Sequence, residues 1–181
     1  FPLLTLVGVI DADLSLQGSD MRAAERTFQQ MRQVSGRAGR ADKAGVAMLQ
    51  TYQPEHPVLR AIMSGEERAF WRAESDERRL SGMPPFGRLA GVVISAPEER
   101  DAFDMGEHLA RNAAPLAQIG AQVFGPAPAP VARVRGRHRV RLLVKAPKDA
   151  PLQTALRAWT QGLKLPNQLR LSIDIDPQSF Y

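Results

Sequence analysis

The chain has 181 residues, with 24 lysines and arginines against 19 aspartates and glutamates, a formal net charge of +5. That length holds one large domain or two small ones, each with a real core. The absence of cysteine excludes disulfides and thiolate zinc sites in this segment and fits a cytosolic setting, while charges or prolines interrupt every apolar run short of membrane-spanning length.

The chain opens Phe1-Pro2-Leu3-Leu4-Thr5-Leu6-Val7, without a methionine start or the basic leader of a signal peptide, and reads as a piece of a longer protein. Residues 4–10 are apolar and partly β-branched, which predicts a buried strand of a parallel sheet. Asp11-Ala12-Asp13 falls at its C-terminal edge, where α/β proteins place functional loops. After a polar loop over 15–19, Ser19 or Asp20 is placed to cap a helix over 21–34. Ala24, Phe28 and Met31 share one face of that helix, with Arg22, Glu25, Gln29 and Arg32 elsewhere. Residues 47–52 predict a second strand, ended by Pro54 and Pro57, and residues 58–80 a long helix, mostly charged over 66–79. Strand, helix, strand, helix is a piece of an α/β layer.

Gly82-Met83-Pro84-Pro85-Phe86-Gly87 stops that pattern, because two prolines cannot continue a helix. The expected division is 1–80 and 81–181. Beyond it the pattern predicts a strand over 88–95, a helix over 97–114 and an extended Val123-Phe124 leading into Gly125-Pro126-Ala127-Pro128-Ala129-Pro130. Strands over 131–134 and 139–145 then flank a tight basic turn at Gly136, followed by a helix over 150–163 and an alternating strand over 169–175. The order β-α-β-β-α-β predicts a small α+β domain with its helices on one sheet face. The proline-alanine run reads as a rigid connector, with a partner-binding polyproline helix as the alternative.

Three constellations carry chemistry. Gln33-Val34-Ser35-Gly36-Arg37-Ala38-Gly39-Arg40 puts two arginines three residues apart on glycine-softened backbone after a helix. Arginine is permanently charged and its planar fork suits phosphate oxygens. The competing reading is an arginine-rich surface turn, and the preceding strand and helix favour the phosphate-reaching one. Asp11 and Asp13 read as turn-forming residues rather than metal ligands, since no phosphate-binding loop accompanies them. Arg133, Arg135, Arg137, Arg139 and Arg141 recur with the period of a strand and can line one face to meet nucleic-acid phosphates. The turn at Gly136 is able to shift their phase, and a merely solvated face is the alternative. Aromatics near this hairpin are sparse, so base stacking is not indicated. His56, His108 and His138 lack metal-ligand spacing, and no metal is assigned.

Taken in order, the tail-like 1–7 segment, Asp11-Ala12-Asp13, Arg22-Ala23-Ala24-Glu25-Arg26, the Gln33–Arg40 stretch, Leu49-Gln50-Thr51-Tyr52-Gln53-Pro54-Glu55-His56-Pro57, Glu77-Arg78-Arg79 with Met83-Pro84-Pro85-Phe86, and Gly125-Pro126-Ala127-Pro128 resemble the PriA family, the primosomal protein N′ of bacterial replication restart. The Gln33–Arg40 stretch is similar to the sixth motif of superfamily 2 helicases, and the first residues to the end of the fifth. The resemblance implies that residues 1–80 end a second RecA-like lobe and that residues 81–181 are a C-terminal DNA-binding domain. It implies a 3′ to 5′ DNA helicase of replication restart, acting on forks and D-loops in the bacterial cytoplasm at the nucleoid. Its partners would be single-stranded-DNA-binding protein and other primosome proteins, with no membrane involved and a monomeric state. It casts Arg37 and Arg40 as arginine fingers facing the ATP γ-phosphate and Gln33 and Gly36 as nucleotide-proximal. ATP and Mg²⁺ would be gripped mainly by an upstream lobe that carries the Walker motifs, and zinc would sit only in an upstream cysteine-rich insertion. This chain alone is then expected to be inactive. The other reading is a free-standing basic nucleic-acid-binding module without enzymatic activity.

Overall fold

The computed structural model describes residues 4–14, 16, 22–38 and 45–178. It divides into two compact units, one up to Glu74 and one from Ser75 onward. The division falls inside a helix, six residues before the position expected from the Gly-Met-Pro-Pro stretch.

In the first unit β1 (Leu6–Val9) lies parallel to β2 (Val46–Leu49), in register from Leu6 opposite Val46 to Val9 opposite Leu49. Between them in sequence runs α1 (Ala23–Ser35). The proposed caps Ser19 and Asp20 lie outside the described residues. Helices α2 (Pro57–Ser64) and α3 (Glu67–Leu80) follow. The single helix expected over 58–80 is therefore two. Gly65 adopts φ +72°, a left-handed conformation that ends α2 and that only glycine takes without strain. Pro57 stands in the first turn of α2, and the N–H of Val58 donates to Nδ1 of His56, which caps the helix.

The face foreseen for α1 is the buried one. Phe28 and Met31 are nearly inaccessible, and Ala24 packs beside them. Phe28 stacks on Phe70 of α3 with centroids 4.3 Å apart, and Trp71 meets both rings edge-on at 5.6 and 5.0 Å. Aromatic pairs in such geometry add about 0.5–1.5 kcal/mol beyond area burial. The Trp71 indole N–H donates to Glu67, which also pairs with Arg32 of α1. Burial of the strands themselves does not match the expectation. Leu6, Val46 and Met48 are 58, 57 and 62% exposed. Ala12, Met31 and Leu59 build a small cluster against which Val9 and Leu49 pack, and no second layer covers the outward side chains among the described residues.

The second unit holds β3 (Gly87–Ala96), α4 (Glu99–Arg111), the short α5 (Ala114–Ala117), β4 (Gln122–Val134), β5 (Arg137–Pro147), α6 (Leu152–Thr160) and β6 (Arg170–Ile175). The strands form one antiparallel sheet in the order β4-β5-β3-β6. This is the split β-α-β-β-α-β arrangement, in which the first strand lies between the third and the last. Even-numbered residues of β3 and β5 and odd-numbered residues of β6 face the helices. Val92, Ile94, Val140, Leu142 and Val144 meet Leu109, Leu116, Leu152 and Leu156 there. Fully burying each such side chain contributes roughly 1.5–3 kcal/mol. The Trp159 indole N–H donates to the Leu109 carbonyl oxygen at 3.0 Å, tying α6 to α4.

The proline-alanine run is neither a connector nor a free polyproline helix but part of β4, paired with β5 and interrupted by register shifts. Prolines survive in a sheet where the strand has a free edge, since a missing N–H is not missed by a neighbour. β4 is such an edge.

Candidate nucleotide-facing turn and nucleic-acid interface

The nucleotide-facing candidates sit where α1 ends. Gly36 N–H donates to the Arg32 carbonyl oxygen at 2.9 Å, and Arg37 and Ala38 N–H groups donate to Val34 and Ser35 oxygens at 3.1 Å each. The helix thus tightens into a final turn and delivers Arg37 just beyond it. Gly36 remains in the right-handed helical region, and a Cβ there would meet the Arg32 carbonyl oxygen at 3.1 Å. Its glycine serves close packing rather than an unusual φ. Gln33, Gly36 and Arg37 are all exposed. Arg37 makes no ion pair among the described residues. Arg40 lies outside the described residues.

The Asp-Ala-Asp turn is structural. Asp11 takes φ +57°, and Ala12 N–H donates to the Gln50 carbonyl oxygen at 2.9 Å. Asp13 is buried; one carboxylate oxygen accepts from the Thr51 hydroxyl at 2.5 Å and the other from the Tyr52 N–H at 2.7 Å. These bonds, the Thr51 hydroxyl first, hold its pKa below the ordinary value of 3.8, with His56 adding a small pull in the same direction and burial opposing it. Each oxygen takes one of these bonds, and together they tie the segment after β1 to the segment after β2. No group of three or more candidate ligands for a metal ion occurs among the described residues.

The second candidate site is the sheet face turned away from α4 and α6. The hairpin between β4 and β5 closes through Arg135 and Gly136, with φ +49° and +78°. Two successive positive φ values make the twist-matched two-residue turn of a right-handed hairpin, and Gly136 is the residue that takes the second without cost. The turn pairs Val134 with Arg137 and Arg133 with His138. Paired residues share a face, so the period of two breaks at the turn. Arg133 goes to the opposite face with His138, while Arg137, Arg139 and Arg141 stay together.

Those three, with Arg135, border an open groove of about 560 Å³. Arg137 is partly committed: it donates to the Ser95 carbonyl oxygen at 2.7 Å, to the Ser95 hydroxyl at 3.4 Å and to the Gln168 carbonyl oxygen. Arg139 and Arg141 make no ion pair among the described residues. The sequence reading missed Arg170, which lines the same groove from β6 together with Ser172. Its signal was present in Arg170-Leu171-Ser172-Ile173-Asp174-Ile175, whose alternation puts the polar set opposite the core. What the alternation does not tell is which strands lie alongside. Ser95 of β3 pairs with Arg139 on one side and Arg170 on the other, so two arginines flank a serine across three strands.

A split β-α-β-β-α-β sheet with an arginine-lined free face is the frame of many nucleic-acid-contacting domains, though fold alone assigns no role. Residues 79–178 match the family model described as primosomal protein N C-terminal domain. The chain belongs to the PriA family. It is 42% identical to the replication restart protein PriA of Rickettsia conorii over 181 residues, all of this chain and 28% of that protein. It is 38% identical to that of Haemophilus influenzae over 98% of the chain and 24% of the relative, and 34% identical to that of Bacillus subtilis over 98% and 22%. The chain thus spans about a quarter of the length of the curated relatives it matches.

Proposed function

We propose that this chain is the C-terminal part of an ATP-dependent 3′ to 5′ DNA helicase of replication restart, and that it supplies two things to it. The observation that carries this reading is end-to-end similarity to relatives named replication restart protein PriA, in a chain whose α1 ends on the Gln33, Gly36, Arg37 stretch. The first unit is read as the end of a RecA-like lobe. Its parallel β1-β2 pair, with Leu6, Val46 and Met48 open to solvent, is what a piece of a wider sheet presents.

Arg37, exposed and unpaired among the described residues, suits the γ-phosphate of an ATP held by an upstream lobe. Arg40 is proposed as the second finger and Gln33 and Gly36 as its nucleotide-proximal neighbours. Bound ATP with Mg²⁺ would supply the phosphoryl group that is hydrolysed. This chain's contribution is positive charge placed where negative charge builds up in the transition state. Asp13, buried and bonded to Thr51 and Tyr52, is assigned a structural role. Zinc is assigned to an upstream insertion only.

The second unit is proposed to hold branched DNA at forks and D-loops through Arg135, Arg137, Arg139 and Arg141, with Arg133 on the other side of the hairpin. Single-stranded-DNA-binding protein and other primosome proteins are the proposed partners, acting with a monomer in the bacterial cytoplasm. Among the described residues no helix is long and apolar enough to cross a membrane.

Two measurements test the reading. In the complete protein, Arg37→Ala and Arg40→Ala should each lower DNA-stimulated ATP hydrolysis by about 10³-fold or more. Turnover near wild type in both variants removes the finger assignment. Replacing Arg139 and Arg141 by alanine should weaken fork binding at low salt. It should also flatten the dependence of log K on log salt by roughly 0.7–0.9 for each phosphate no longer neutralised. An unchanged slope would make the hairpin a solvated face.

A further inference from the structure

The groove continues into a row of residues that alters what kind of nucleic acid it suits. Gly91 of β3 pairs with Leu143 of β5 and with Asp174 of β6, and Leu143 pairs in turn with Phe124 of β4. Phe124 and Leu143 are absent from the core packed beneath the helices, and their place in the pairing puts them on the arginine face. Phe124 is 49% exposed. The open face therefore carries three successive rows. Arg139, Ser95 and Arg170 form the first, Arg141, Val93 and Ser172 the second, and Phe124, Leu143, Gly91 and Asp174 the third.

We propose that this face binds a single strand of DNA in extended form, with phosphates on Arg139, Arg141 and Arg170 and one base stacked on Phe124. The inference rests on the nucleic-acid reading of the hairpin and deepens it. Three features favour a single strand over a duplex. Arg139 and Arg141 are two residues apart on one strand, a spacing of about 6.8 Å. That is comparable to the distance between successive phosphates of an extended strand. The floor between the arginines is small or flat, with Ser95, Val93 and Gly91 along β3, so a stretched chain can lie on it. A sheet face of four strands is too broad to enter the major groove of a duplex, which admits a helix or a two-stranded ribbon. A basic track ending at an exposed ring is instead the arrangement that holds unpaired strands, because every base offers a π-face. Asp174, at the far end of the third row, repels phosphate and leaves Phe124, Leu143 and Gly91 to a base. Strong sequence preference is not expected, since stacking on an aromatic face accepts every base.

The test uses the 181-residue chain, a fluorescein-labelled oligothymidylate of about 15 nucleotides and a blunt duplex of the same length, with anisotropy followed across a salt series. The chain should prefer the single strand. Phe124→Ala should weaken oligothymidylate binding about tenfold with the salt slope unchanged, whereas Phe124→Tyr should retain it. Arg170→Ala should reduce the slope by roughly 0.7. Thermal melts of each variant separate weakened binding from impaired folding. Equal or tighter duplex binding overturns the proposal, as does an inert Phe124→Ala. If duplex or fork binding persists and depends on Arg139 and Arg141, the broader nucleic-acid reading stands while this one falls. If the chain binds neither probe, or takes an acidic peptide in preference to both, the two readings fall together.

Discussion

Asp13 is nearly out of reach of water and yet favours its charged form, because two donors are aimed at its two oxygens. A carboxylate whose folded pKa is depressed contributes stability that is full above its unfolded value and drains away as pH falls through the folded one. For Asp13 that window opens below the ordinary 3.8. Asp13→Ala should therefore lower the melting temperature at neutral pH, and the difference from wild type should shrink on acidification below the ordinary 3.8. Thermal melts across that range check it, and a gap that stays constant would show that the Thr51 and Tyr52 bonds do not depend on the charge. At this scale the sequence was legible where the signal is local. Gln33, Gly36 and Arg37 are neighbours in the chain and on one helix end. Arg170 was not, because its significance comes from Ser95 and Arg139, which reach it only through sheet pairing.

Helix α4 approaches the proline-alanine part of β4 closely enough that a Cβ at Gly106 would stand 2.8 Å from Cβ of Pro126. The glycine is thus a packing requirement between two elements rather than a weak point in a helix. Gly106→Val should force α4 away from the sheet and cost about 1–3 kcal/mol, as overpacking does. Urea denaturation of the chain followed by circular dichroism measures it, and a cost under half a kilocalorie would mean that β4 gives way easily. Two elements escaped the sequence reading for definable reasons. A glycine inside a helical pattern is usually tolerated, so Gly65 did not announce a break between α2 and α3. Alternating proline and alanine argues against a strand by composition, and only the edge position of β4 reconciles the two. Where alternation was clean, as in β3, β5 and β6, the strands fell within a residue or two of their expected bounds.

At the scale of the whole molecule, the two units are stabilised differently. The second closes a continuous core from residues as far apart as Ala90 and Leu169, whereas the first rests on two small clusters and leaves strand side chains open. That contrast was invisible in the sequence, since an apolar run looks the same whether or not a second layer exists to cover it. A chain that spans about a quarter of its relatives is under no obligation to bury every apolar residue by itself.

β4 has one more consequence. A sheet with an unpaired border invites a stranger's backbone, and many proteins aggregate by that route. Here Pro126, Pro128 and Pro130 remove three backbone N–H groups from an edge strand, which makes it a poorer template for an incoming one. Replacing all three by threonine should leave the fold's core in place yet hasten fibre growth on prolonged incubation, followed by thioflavin fluorescence. Unaltered kinetics would assign the prolines to shape alone. The residues that made this stretch look least like a strand are, on this account, what guards its open edge.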